Sequence, residues 1–267
     1  MFYQSIRIQI AIITKLINNT KFKIDKGDHL LDTHTHILWN IDDGSKNQCM
    51  SLQMLEIAAR SGTKAIFATP HVIERANKPS WEEIKEKTQQ LRQLCAEAQI
   101  DIMLYPGAEV QMNWELLPEL GATGAYCLNG GRYLLIELPA AEIPAYADEF
   151  WYELELKGIT PILAHPERYQ QLRENPDLLL LWRRRGMLMQ CNSGSFTGMF
   201  GSSVCENAKV LLANGLVDLL GSDGHRSEGR NTDMSRAAAV IRQLAGEEVL
   251  RQLTETNPQA ILKKQEI

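Results

Sequence analysis

The stretch 29-HLLDTHTHILWNIDDGS-45 sets Asp32, His34 and His36 on every second residue at the end of an apolar run, then adds two adjacent acids, Asp42 and Asp43. On a β-strand this period of two sends all three side chains to one face. Two imidazoles and a carboxylate are costly to bury there without a partner. A divalent metal is one such partner and a hydrogen-bonded core pair is another. The choice depends on what the rest of the chain brings to the same place.

Further apolar runs read as buried strands: after 30–37 come 63–71, 101–109, 133–138, 159–165, 187–192 and 216–223. Amphipathic helical segments lie near 46–61, 80–98, 144–157, 176–185 and 202–214, followed by 232–243 and 246–255. Gly62, Gly158, Gly186 and Gly215 stand where a helix hands over to the next strand, as C-cap glycines do. This alternation predicts an α/β fold with a parallel sheet. No sequence repeat, low-complexity tract or interdomain linker interrupts it.

The strand ends carry the chemistry. The first run closes on His34 and His36, the second on His71, the third on Glu109 and the fourth on Glu137. The fifth closes on His165, the sixth on Asn192, and the last on Asp223 with His225 just beyond. In a closed β/α barrel the C-terminal strand ends converge on one mouth, where such barrels keep their active sites. Taken singly, each residue has a plainer reading: Glu137 as a partner for Arg132, or the 42-DD-43 pair as a turn into a helix N-terminus. Their coincidence at one end of successive strands favours a metal site.

So many imidazoles and carboxylates, without a thiolate, exceed what one ion can use, which points to two or three ions sharing bridging carboxylates. Mixed N/O ligation suits Mn, Fe or Zn and does not separate them. Two or more ions a few ångströms apart can hold a hydroxide nucleophile and stabilise an oxyanion, as phosphate-ester hydrolysis requires. Arg168 follows His165 closely in 165-HPERY-169, and Arg226 and Arg230 follow Asp223 in 223-DGHRSEGR-230. A guanidinium fork matches phosphate oxygens bidentately. Arg168 and Arg230 are favoured as phosphate contacts over Arg226.

Bulk properties narrow the alternatives. The length of 267 residues fits one α/β-barrel domain, and the net charge of −5 gives no reason to expect nucleic acid as a partner. The five cysteines are scattered, odd in number and without a CxxC, which suits a reducing, cytoplasmic compartment. None has an arginine six residues on, so the Cys-x5-Arg loop of cysteine-based phosphatases is missing. Residues 1–28 include the short apolar core IQIAIIT, stopped by Lys15 and lacking a small-residue cleavage site. They are expected to be a loosely attached extension or an amphipathic helix, with 29–267 forming a single domain. No membrane insertion is expected, and the helical surfaces leave a homo-oligomer open.

DTHTH, IDDGS, TPH, GAE, IEL, AHPERY and SDGH with a trailing Arg, in that order, resemble the polymerase-and-histidinol-phosphatase (PHP) superfamily. Within it they look like the manganese-dependent tyrosine-protein phosphatases of bacterial capsule and exopolysaccharide gene clusters. The likeness runs from Leu30 to the NPQAILKK near the C-terminus. It implies a distorted (β/α)7 TIM-like barrel with a trinuclear metal centre, Mn2+ being the expected ion. By motif match His34, His36, His71, Glu109, Glu137, His165, Asp223 and His225 would be metal ligands. Asp43, the acid directly before the glycine, would be a further acid at the site, and Arg168 and Arg230 would bind phosphate. The implied substrate is phosphotyrosine in the tail of a bacterial tyrosine autokinase. Trp39 departs from the smaller aliphatic residue usual in the family and is expected at the cavity rim. Rival readings are a PHP phosphatase for small monoesters such as histidinol phosphate, an amidohydrolase or TatD-like nuclease, and a non-enzymatic module that docks on a kinase.

Overall fold

The computed structural model describes residues 29–121 and 124–267; the expectation for residues 1–28 lies outside them. The described residues form nine short parallel strands: β1 (Leu30–Thr35), β2 (Thr63–Ala68), β3 (His71–Val72), β4 (Met103–Pro106), β5 (Glu109–Gln111), β6 (Tyr133–Glu137), β7 (Thr160–Ala164), β8 (Leu188–Asn192) and β9 (Leu219–Gly221). They amount to the seven strands expected, because two are interrupted. Pro70 has no N–H to donate and separates β2 from β3, while Gly107 and Ala108 separate β4 from β5. Backbone hydrogen bonds continue across both breaks: Gly107 N–H donates to Ala68 O at 2.9 Å and Glu109 N–H to Pro70 O at 3.0 Å. The order is β1–β2–β4 in one sheet and β3–β5–β6–β7–β8–β9 in the other.

The first and last strands then meet. Thr35 pairs in parallel with Gly224, Asp223 N–H donates to His34 O at 2.7 Å, and His36 N–H to Gly224 O at 2.9 Å. The sheet is therefore curled into a closed parallel barrel.

Alternation along each strand sorts side chains into two apolar layers. Phe67, Tyr133, Leu135, Ile162, Ala164, Leu188 and Leu219 pack together inside the barrel, with Ile261 of the C-terminal helix. The intervening Ile66, Leu134, Ile136, Leu163, Met189 and Leu220 face the surrounding helices. Among these helices are α1 (Gln48–Arg60) and α2 (Trp81–Glu97), then α3 (Ala147–Leu156), α4 (Gln170–Glu174) and α5 (Pro176–Arg184). After β8 come the single turn α6 (Ser193–Phe196), then α7 (Ser202–Ala213) and α8 (Ser235–Ala245). In α2, Ser80 caps the N-terminus by accepting from Glu83 N–H, and Ile84, Thr88, Leu91 and Cys95 form the buried stripe. Each fully buried Leu or Ile there contributes about 1.5–3 kcal/mol.

The last helical run is longer than its sequence suggests. It runs as α9 (Glu247–Arg251), a π turn at Gln252–Thr256, and α10 (Asn257–Leu262). Pro258 lacks the N–H that a regular α-ladder needs at that point, and the wider turn lies immediately before it. Trp39, expected at the cavity rim, instead lies buried in the outer apolar layer, with Lys87 Nζ 5.2 Å from the ring centroid. Among the described residues no helix is long and apolar enough to cross a membrane.

Candidate metal centre

The inward rows that pack the barrel floor continue upward as polar and ionisable side chains. Phe67 leads through Thr69 to His71, Leu135 to Glu137, Leu188 through Gln190 to Asn192, and Leu219 through Gly221 to Asp223. Glu109 pairs in register with His71 on one side and Leu135 on the other. His165 breaks the alternation, since Ile162 and Ala164 already face inward. Its backbone adopts φ 36°, a left-handed conformation that L residues reach only at a cost, which turns the imidazole back to the mouth. Gly221 is required for the close fit beside it: a Cβ there would sit 2.5 Å from His34 Cβ and 2.9 Å from Gln190 Nε2.

All eight ligand positions expected from the strand ends meet at this mouth. His34 Nε2 lies 3.1 Å from His36 Nε2, 3.1 Å from Glu109 Oε2 and 3.5 Å from Asp223 Oδ1. His36 Nε2 is 3.2 Å from the same Glu109 oxygen and 3.4 Å from the same Asp223 oxygen. Beside them, Asp43 Oδ1 is 3.4 Å from His225 Nε2 and 3.7 Å from His71 Nε2. On the other flank Glu109 Oε2 is 3.1 Å from His71 Nδ1, and Glu109 Oε1 is 2.9 Å from His165 Nε2. Glu137 reaches His71 Nδ1 at 3.9 Å and His165 Nε2 at 3.7 Å.

Apart from His165, which stands beside Glu109 and Glu137, these donors fall into three overlapping groups: His36 with Asp43, His71 and His225; His34 with His36 and Asp223; and His71 with Glu109 and Glu137. Two features fit them to cations. Glu109 Oε2 and Asp223 Oδ1 are buried and find no hydrogen-bond partner of good geometry among the described residues, although imidazole nitrogens crowd them. Separations of 3.1–3.5 Å around Glu109 and Asp223 also match the ligand–ligand edge of about 3.3 Å that metal–nitrogen bonds of about 2.0–2.1 Å give in a tetrahedron.

The electrostatics are those of a cluster that needs positive charge. Burial raises Glu109 and Asp223, but neighbouring histidines overcome it and hold both carboxyls well below their ordinary range. Burial alone would push His34 and His36 down. Glu109 and Asp223 instead raise His34, and Asp42 chiefly raises His36. His225 is lowered to about 4 by burial and by the charge of His36, while Glu137 is raised to about 7 by burial and by Glu109.

The arginines stand beside this cluster. Arg168 Nη1 donates to Asp223 Oδ2 at 3.1 Å, and Arg230 Nη2 donates to the same oxygen. Arg226 instead ties loops together, donating to Gly44 O at 2.9 Å and to Asp43 O. Arg132 pairs with Glu266 and leaves Glu137 to the cluster.

The description "Capsular polysaccharide synthesis, CpsB/CapC" belongs to the family model that matches residues 30–263. The chain belongs to the CpsB/CapC family. It is 34% identical over 238 residues, covering 89% of this chain and 93% of the relative, to tyrosine-protein phosphatase YwqE of Bacillus subtilis. A crystal structure from work on YwqE of Bacillus subtilis and CpsB of Streptococcus pneumoniae, metal-dependent tyrosine phosphatases, superimposes with a TM-score of 0.84. The two are 34% identical, covering 89% of this chain and 96% of that one. Histidinol phosphate phosphatase of Lactococcus lactis shares the fold alone, with a TM-score of 0.54, 16% identity and coverage of 82% and 94%.

This CpsB/CapC chain also has side chains at the site that its motifs do not announce. Asp42 Oδ2 accepts from His36 Nδ1 at 2.7 Å and from His71 N–H at 2.9 Å, which leaves His36 Nε2 free for the cluster. Gln190 Oε1 does the same for His34 Nδ1 at 2.8 Å. Asn192 Nδ2 donates to Asp223 Oδ2 at 2.6 Å. Period-two counting back from Asn192 would have found Gln190; nothing comparable distinguishes Asp42 from Asp43.

Proposed function

We propose that this chain is a protein-tyrosine phosphatase that depends on divalent metal ions, manganese being the expected ion in two or three copies. The reading extends to the phosphotyrosine tail of a bacterial tyrosine autokinase as substrate, in the cytoplasm, in the control of capsule or exopolysaccharide synthesis. The observation that carries it is the pairing of two elements: three overlapping N/O donor groups, and two arginines converging on Asp223 from separate loops. Kinship with YwqE and CpsB supports the tyrosyl substrate.

His34, His36, His71, Glu109, Glu137, His165, Asp223 and His225 would hold the ions, with Asp43 completing the outer group. Bound divalent cations supply Lewis-acid charge and lower the pKa of water toward neutrality. The chain's own residues do the rest. Arg168 and Arg230 spend one N–H each on Asp223 and keep the remaining N–H groups for the equatorial oxygens of a phosphoryl group. Asp42 and Gln190 fix the ring orientation of His36 and His34. The neighbouring His225 ring, 3.4 Å away, holds the Asp43 carboxyl well below its usual range. A tyrosyl leaving group, with a pKa of about 10, demands less of a general acid than an alkyl alcohol does.

The test is hydrolysis of p-nitrophenyl phosphate by the metal-loaded chain before and after chelation, followed by Mn2+ add-back. Activity should vanish with chelator and return with Mn2+. A phosphotyrosine peptide should then be turned over far faster than histidinol phosphate; the reverse preference would replace the protein-phosphatase reading with a small-molecule one.

A further inference from the structure

Phe200 belongs to the loop 197–201 after α6 and appears in none of the roles above. Its ring centroid lies 4.7 Å from the guanidinium carbon of Arg168 and 5.6 Å from that of Arg230. One phenyl ring thus touches both cations that flank Asp223. Guanidinium groups sharing one carboxylate oxygen repel each other. An aromatic face attracts such cations. A ring stacked on the flat side of a guanidinium leaves the N–H groups, which lie in the plane, open to oxygen ligands.

The loop is built to hold the ring there. The loop packs closely on α6: a Cβ on Gly194 would lie 2.9 Å from Met199 Sδ and 3.2 Å from Phe200 Cε2, so a side chain there would press on the Phe200 ring. Met199 N–H donates back to Gly194 O at 3.0 Å. Glu167, the residue before Arg168, accepts from Ser195 Oγ at 2.6 Å and from Asn192 N–H at 2.9 Å. The segment that carries Phe200 is therefore tied directly to the turn that carries Arg168.

We propose that Phe200 is a positioning residue that holds the Arg168 and Arg230 guanidinium planes so that their free N–H edges meet a phosphate group. This rests on reading the two arginines as phosphate contacts.

The experiment compares the full, metal-loaded chain with Phe200→Leu, Phe200→Tyr, Arg168→Ala and the Phe200→Leu/Arg168→Ala double variant. It measures kcat and KM on p-nitrophenyl phosphate, the inhibition constant of inorganic phosphate, metal content and Tm. Phe200→Leu should lower kcat/KM about tenfold and weaken phosphate inhibition in step, with metal content unchanged. Phe200→Tyr, which keeps the ring, should stay near wild type. In the Arg168→Ala background the loss from Phe200→Leu should shrink to about a third or less of its value, because one of its two partners is gone. If the leucine variant loses its fold, Phe200→Met reads the same quantities. A wild-type chain that turns over while Phe200→Leu matches it overturns the inference and leaves the phosphatase reading intact. An undiminished loss in the Arg168→Ala background overturns it as well. A metal-loaded wild type inert toward every phosphomonoester removes the phosphatase reading and this inference together.

Discussion

The floor and the mouth of the barrel are built on the same inward rows and differ in everything else. At the floor, Phe67, Leu135, Ile162, Leu188 and Leu219 exclude water and stabilise the fold by burial. Two to four residues further along the same rows stand His71, Glu137, Asn192, Asp223 and His165, and the neighbouring strands add His34, His36 and Glu109. Packing them there costs solvation and, at His165, backbone strain. The mouth therefore works against stability and the floor supplies it. Function in this chain is concentrated where the fold gains least.

This contrast can be broken by experiment. If the mouth is the machinery, Asp223→Ala, which removes a donor to the cluster and the anchor of both arginines, should abolish measurable turnover. The protein should still fold by circular dichroism; residual activity within about tenfold of wild type would refute the assignment. Arg168→Ala should cost about 10²–10³ in kcat/KM, as loss of one preorganised donor to a developing oxyanion does, with metal content unchanged. Asp42→Ala should lower metal affinity or activity about 10- to 100-fold by freeing the His36 ring, and metal titration would detect it.

Proton linkage sharpens the comparison. In the metal-free chain His34 and His36 have raised pKa values. Their stabilising contribution is therefore fully present below the ordinary histidine value of about 6.5 and is lost as pH rises through the raised ones. A cation needs those nitrogens unprotonated. Metal uptake should release protons, and affinity should strengthen by up to about tenfold per pH unit per proton across that same window. Calorimetry in two buffers of different ionisation enthalpy would show it; affinity independent of pH would not fit. The floor gives the smallest effect on turnover. Leu135→Ala should leave kcat/KM of the folded protein nearly unchanged while lowering stability by about 2–5 kcal/mol in a denaturant melt.

Strand ends were the most legible part of the chain, because period-two alternation and the convergence of parallel strands are both local rules with one geometric outcome. His34, His36, His71, Glu109, Glu137, His165, Asp223 and His225 could all be placed at one mouth on that basis. What escaped was decided by backbone turns and by neutral side chains. Asp42 and Asp43 are adjacent and chemically identical. The turn sends one to His36 and the other outward to His225, with Gly44 packed so closely that a Cβ would sit 2.2 Å from His36 O. Gln190 carries no charge to attract notice. Phe200 lies in an irregular loop, where no periodicity reports direction. The breaks at Pro70 and Gly107 hid inside runs that read as single strands. Trp39 was placed by its sequence neighbours near the site, but its large apolar surface is satisfied in the outer layer.

The seam between β1 and β9 joins residues 190 positions apart, as the hydrogen bond from Ser222 N–H to Asp32 shows. His34 and His36 leave the ribosome early, yet Asp223, His225 and Arg230 emerge only when most of the chain has been made. Contacts of such separation form late. A growing polypeptide would therefore carry half a binding site with no catalytic competence, and the protein would become active only on completing its own circle.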